Sequence, residues 1–184
     1  MARTALVPVA DGTEEIEAAC LIDTLRRAGV DVTVASVGAL QVTASRGMKI
    51  VADTLIAECA GRTYDCIALP GGMPGAEHLR DSAPLIALLK GQRDAGRLYA
   101  AICASPAVVL HHHGLLEGVK ATCYPAMQGQ LDPSRVWRDR VVVDGRCVTS
   151  QGPATAIEFA LKLVELLVSP DKAREVAQAM LVTL

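Results

Sequence analysis

Apolar and polar positions change period repeatedly along this chain. Residues 4–10, TALVPVA, form a short continuous apolar run. EEIEAACLIDTLRRAG (14–29) follows with apolar residues at helical spacing and ends on Gly29, a suitable C-cap. DVTVASVG (31–38) is rich in β-branched residues and predicts a strand. Residues 39–53 predict a small hairpin turning near Arg46-Gly47. YDCIALPGG (64–72) predicts a buried strand running into a glycine turn, and 82–96 a helix with Ser82 as N-cap. RLYAAIC (97–103) predicts another buried strand, and SPAVVLHHHG (105–114) a short helix stopped by Gly114.

Nearer the end, Asp144-Gly145 between two β-runs in 139–150 signals a hairpin. The stretch 155–169 predicts a helix with a Thr155/Glu158 capping box, a stripe of Ile157, Leu161 and Val164, and Glu158 facing Lys162. Ser169-Pro170 opens a last helix with proline at its first position. Strands that are apolar throughout, alternating with helices, predict an α/β fold: a mostly parallel sheet covered by helices on both faces. No repeat or linker divides the chain, so residues 1–184 are expected to form a single domain.

Composition narrows the function classes. The chain is 51% hydrophobic and 21% charged with net charge −2, so no basic field recruits nucleic acid or acidic lipid. The first apolar run is too short for a membrane span or signal peptide, and a cytoplasmic location is expected. The six cysteines form no C-x-x-C pair and no zinc-like spacing with histidine, and are read as reduced thiols. His111, His112 and His113 are consecutive. Neighbours on a helix point in different directions, which speaks against a shared metal. No metal and no cofactor are expected.

In parallel sheets, sites form at the carboxyl ends of strands. Three predicted strand ends carry unusual residues: Asp11-Gly12, Pro70-Gly71-Gly72 and Cys103. Cys103 at a strand–turn–helix junction, followed by the small Ala104-Ser105, fits a nucleophile elbow whose helix-start amides favour thiolate. It also fits a core cysteine that ends a strand. The Gly71-Gly72 pair either lets an amide approach a ligand, forming an oxyanion hole with the Ala104 amide, or simply provides a tight strand exit. Glu14 and Glu15 suit a helix start. Glu17 falls at the apolar edge near Leu21 and Thr24, where burial would raise its pKa; the alternative is a solvated acid.

Several of these stretches together carry a family resemblance. ALVPVADGTEEIEA, RRAGVDVTVASVG, ASRG, YDCIALPGGMPGAEHLRDS, AAICASPAVVL and VTSQGPATAIEFALKLVELL resemble the DJ-1/ThiJ/PfpI superfamily, most closely its bacterial YajL-like branch. The resemblance implies a flavodoxin-like three-layer sandwich and a homodimer. It matches Cys103 to a reactive, oxidisable cysteine and Glu17 to a protonated acid that hydrogen-bonds it. It matches Gly72 and Ala104 to the amides facing the sulfur, and Arg46 to an arginine near the dimer seam. Tyr124 stands where many members have histidine, which argues against a Cys–His dyad. Ala104 stands where the PfpI-type peptidases have histidine, which argues against peptidase activity.

The function implied is cysteine-dependent protection against reactive carbonyls. Its form would be a glyoxalase or protein deglycase acting on 2-oxoaldehydes such as methylglyoxal, or on glycated protein side chains. Cys103 would be the nucleophile, Glu17 the proton shuttle, and Gly72 and Ala104 the oxyanion donors. The alternative is an oxidative-stress sensor or redox-regulated chaperone using the same thiol. Nothing in the sequence supports a thiazole-biosynthesis role.

Overall fold

The computed structural model describes residues 2–183. β1 (Thr4–Val9) leads to α1 (Glu15–Arg27) and β2 (Asp31–Ser36). A two-stranded hairpin, β3 (Gln41–Thr43) with β4 (Lys49–Val51), turns at Gly47 as predicted. β5 (Thr54–Leu55) and β6 (Cys66–Leu69) follow, then α2 (Gly75–Arg80), α3 (Ala83–Asp94) and β7 (Leu98–Ile102). After β7 comes a π-helix, Pro106–His111, and later a 3-10 helix, Pro125–Gln130. β8 (Val141–Asp144) and β9 (Cys147–Ser150) form the Asp144-Gly145 hairpin, and α4 (Ala156–Leu167) and α5 (Pro170–Ala179) close the order.

The main sheet has the order β5-β2-β1-β6-β7-β9-β8 and is parallel except for β8. The strands β6 and β7 are buried along their whole length because both faces are covered. Alternation along each strand divides the core. Ala5, Val7 and Val9 face α1, α4 and α5, with Phe159 and Leu163 packed against them. Leu6, Ile67, Leu69 and Tyr99 face the opposite layer of α2, α3 and the π-helix, with Leu79, Leu85 and Leu89. The fold is the flavodoxin-like three-layer α/β sandwich.

Two local expectations are corrected. Thr155 and Glu158 form no capping box: the Thr155 hydroxyl bonds Gly152 and the Ser150 hydroxyl, and Glu158 forms a paired contact with Arg140 beside β8. Lys162 therefore pairs with Glu165 and not with Glu158. Ser169, by contrast, caps α5 through its hydroxyl, which accepts the Lys172 amide at 3.1 Å.

The chain leaves β1 toward β2 on one side and enters β6 on the other. The loops after β1 and β6 therefore meet at a topological switch point, with the loop after β7 beside them. The β1 and β6 loops pack backbone against backbone. A Cβ on Gly72 (φ +91°) would run into the Glu14 amide and the Gly12 carbonyl, and one on Gly75 would lie 2.5 Å from the Thr13 amide. Only glycine permits that approach.

Candidate active site

Cys103 sits at the corner between β7 and the π-helix with φ +64°, a left-handed conformation that is rare for a residue with a side chain. Hydrogen bonds hold it there from both sides. Its amide donates to the Ser150 carbonyl at 3.0 Å, and its carbonyl accepts the Tyr124 amide at 2.8 Å. Behind it the buried Ser105 hydroxyl donates to the Pro70 carbonyl at 2.6 Å, tying the elbow to the β6 loop. A Cβ on Gly71 would lie 2.7 Å from the Cys103 Cβ, so the glycine is what lets the two loops come together. The elbow geometry predicted from the sequence is present, and the sulfur is half-buried and not sealed in the core.

Glu17 lies in the first turn of α1 and is fully buried. One carboxyl oxygen accepts the Gly71 amide at 2.7 Å. The other, Oε1, is buried with no hydrogen-bond partner meeting full geometry, although the carboxyl is close enough to the Cys103 thiol for each to affect the other's ionisation. Burial pushes Glu17 up to about 7, against the lowering effect of the Gly71 amide and the thiol. Burial also pushes the Cys103 thiol up to about 12, and the neighbouring Glu17 charge and hydrogen bond add to it. The amides of Gly72 and Ala104 work the other way.

The sequence predicts a lowered thiol at this junction, and the structure corrects that. The helix-start amides are where they were expected, but burial and the carboxylate outweigh them. Ionising either group disfavours ionising the other, so the pair loses its protons in two steps, the first near neutrality, and above that pH it holds one proton. A thiolate forms when that proton sits on Glu17.

Glu14 and Glu15 have separate tasks. Glu14 is the N-cap of α1, its carboxylate accepting the Glu17 amide at 2.8 Å. Glu15 reaches across to the hairpin turn, accepting the Ser45 hydroxyl at 2.7 Å and the Arg46 amide at 2.8 Å. Burial alone would raise Glu15, but these bonds outweigh it and hold the carboxyl below its ordinary value. The helical wheel places Glu15 on the polar side and gives no sign of this latch, because its partners lie about thirty residues further along the chain.

Above the sulfur opens a cavity of about 440 Å³. On the β1 side Glu14, Ser45 and Arg46 line it. Met73, in the loop after β6, lines it as well, and Tyr124, Met127 and Pro153 line the β9 side. Tyr124 therefore does enter the site, its ring against Gly152 and its amide on Cys103. Met127 and Pro153 carry no chemical signal that sequence reasoning could have used. The histidine run converges on nothing: His113 bonds the Arg80 carbonyl and stacks edge-on with His112. Among the described residues no group of three or more His, Cys, Asp or Glu side chains could hold a metal ion, and no helix is long and apolar enough to cross a membrane.

Residues 3–166 match a family profile described as the DJ-1/PfpI family. Among curated proteins, Protein DJ-1 homolog B of Arabidopsis thaliana is 48% identical over 178 residues, covering 96% of this chain and 41% of the plant protein. The chain thus spans less than half the length of that relative. The Caenorhabditis elegans protein named glutathione-independent glyoxalase DJR-1.2 is 38% identical over 169 residues, covering 91% of this chain and 89% of the worm protein. Among solved structures, Toxoplasma gondii DJ-1, described as oxidized, superposes with a TM-score of 0.98 at 53% identity and covers all of both chains.

Proposed function

This chain belongs to the DJ-1/PfpI family, and we propose that it is a cofactor-free enzyme of the glyoxalase type, converting 2-oxoaldehydes, free or in early adducts with amines and thiols, to 2-hydroxy acids. The observation that carries the reading is the Cys103–Glu17 pair, a half-buried thiol beside a fully buried carboxyl beneath an open cavity. The name of the worm relative supports the same chemistry.

With the proton on Glu17, the Cys103 thiolate attacks the aldehyde carbon. The new oxyanion is received by the Gly72 and Ala104 amides and takes the proton from Glu17. Glu17, now a carboxylate, removes the hydrogen from that same carbon, giving an enediolate with its negative charge on the former ketone oxygen. It then returns the proton to the adjacent former ketone carbon, while the hydroxyl proton on the aldehyde carbon passes to the former ketone oxygen. The aldehyde carbon has been oxidised to a thioester and the ketone carbon reduced to an alcohol, so no external electron donor or acceptor is needed. Water cleaves the thioester, releases the 2-hydroxy acid and restores the shared proton. A base with a pKa near 7 is matched to this work at neutral pH. Lactate formation from methylglyoxal by the wild type, and its loss in Cys103→Ser, tests the reading. Equal turnover by both proteins refutes it.

A second reading has its own support. The same two amides and a neutral Glu17 would hold the oxygens of a sulfinate formed when peroxide oxidises Cys103, as in a redox sensor or redox-regulated chaperone. A sensor is modified once per subunit, whereas an enzyme consumes carbonyl repeatedly. We also propose a cytoplasmic homodimer. Its support is the group of exposed apolar side chains Ile16, Met48 and Val51 on α1 and the β3–β4 hairpin, next to the Arg46 turn.

A further inference from the structure

The cavity over Cys103 has two unlike banks. Strand order places Arg46 and its turn on the β1 side, and Tyr124, Met127 and Pro153 on the β9 side. Met73 and Tyr124, both lining this cavity, are 43% and 44% exposed. At about 440 Å³ the space falls within the ~300–1,000 Å³ of pockets that hold drug-sized ligands. Methylglyoxal carries a single methyl beyond its two carbonyls and would leave the β9 bank wet. Two methionines and an aromatic ring form an adaptable, polarizable wall that suits a flat apolar group.

Resting on the carbonyl chemistry proposed for Cys103, we infer that the preferred substrate is a 2-oxoaldehyde with an aromatic or bulky apolar arm, and that Tyr124 is the residue that selects it. The reacting aldehyde carbon bonds the sulfur as before. The arm lies against Tyr124, Met127 and Met73, displacing water from them. The ring does the selecting, so the phenol oxygen is dispensable.

The test compares phenylglyoxal with methylglyoxal by kcat/KM in the wild type, Tyr124→Phe and Tyr124→Ala. A single methylene in an apolar pocket discriminates about 10-fold or more. Phenylglyoxal should therefore be favoured at least about 10-fold in the wild type and in Tyr124→Phe, and the advantage should collapse in Tyr124→Ala. A wild-type ratio near one, or an advantage that survives in Tyr124→Ala, overturns the inference and leaves the glyoxalase reading standing.

A second measurement needs no turnover. Cys103 is alkylated with phenacyl bromide or bromoacetone, the sulfur–carbon bond forming as bromide leaves, and each rate is divided by that of glutathione. The normalised rates should favour the phenyl reagent about 10-fold in the wild type and not in Tyr124→Ala. If neither oxoaldehyde is turned over, the glyoxalase reading fails, and this ratio alone decides whether the pocket selects an aromatic arm.

Discussion

Replacing Glu17 with glutamine should stabilise the protein, and only above a defined pH. The side chain is fully buried, and one of its oxygens has no hydrogen-bond partner of full geometry. Its pKa is raised from 4.5 to about 7, mainly by burial. Below pH 4.5 both folded and unfolded chains hold the proton, and the site costs nothing. Between 4.5 and about 7 the folded chain keeps a proton that the unfolded chain has released, so stability falls as pH rises. Above 7 the whole cost is present. Each tenfold in proton affinity is about 1.4 kcal/mol, which makes that cost about 3 kcal/mol. Glutamine keeps the shape and the acceptor for the Gly71 amide and carries no charge. Urea denaturation of wild type and Glu17→Gln at pH 4 and pH 8 measures the effect, since the difference between the two proteins cancels groups that titrate in both. The variant's advantage should grow by about 3 kcal/mol over that interval, or about 6–12 °C in Tm for a chain of this size. A difference that does not change with pH, or a variant less stable at pH 8, refutes the shared-proton account of the site.

Four further outcomes are expected. In Glu17→Gln the Cys103 thiol, followed by thiolate absorbance against pH with Cys103→Ser subtracted, should ionise at lower pH than in the wild type; an unmoved midpoint contradicts the coupling. Gly72→Ala should lose about 3 kcal/mol or more in urea denaturation, because its Cβ meets backbone and its φ is +91°. Gly91→Ala, on an open face of α3, should instead be neutral or gain up to about 1 kcal/mol. Light scattering at micromolar concentration should give twice the chain mass of 19.3 kDa, and a stable monomer removes the proposed dimer.

Features set by neighbours in the chain could be read from the sequence. The two hairpin turns, the apolar strands and the proline-led start of α5 depend on residues a few positions apart, and all are present. Cys103 and Glu17 could be found for the same reason: one stands at a strand–helix junction, the other at the apolar edge of a helix. What failed depends on partners distant in sequence. Glu158 is paired with Arg140 and Glu15 is engaged at the Ser45-Arg46 turn, and neither pairing has a local signature. The thiol's elevation likewise comes from burial and from a carboxylate on another element. The stretch from 115 to 138 shows no clear periodicity, and its 3-10 turn brings Tyr124 and Met127 to the site only through tertiary packing.

The glycine seam between the β1 and β6 loops bears on how this site can diversify. Gly12, Gly72 and Gly75 leave no room for even a methyl group where the two loops touch. At that seam, drift and engineering alike have almost no tolerated steps, because any added atom separates the backbone that presents the Gly72 amide. Tyr124, Met127 and Pro153 sit on the β9 bank in or beside short 3-10 turns, partly open to solvent, and their side chains can change size without moving the seam. On the carbonyl chemistry proposed for Cys103, new substrate ranges in descendants of this protein should map to substitutions near 124–127 and 153, with the seam left untouched. Libraries randomised separately at the glycine seam and at 124–127 with 153 would show this as a sharp difference in the fraction of folded members.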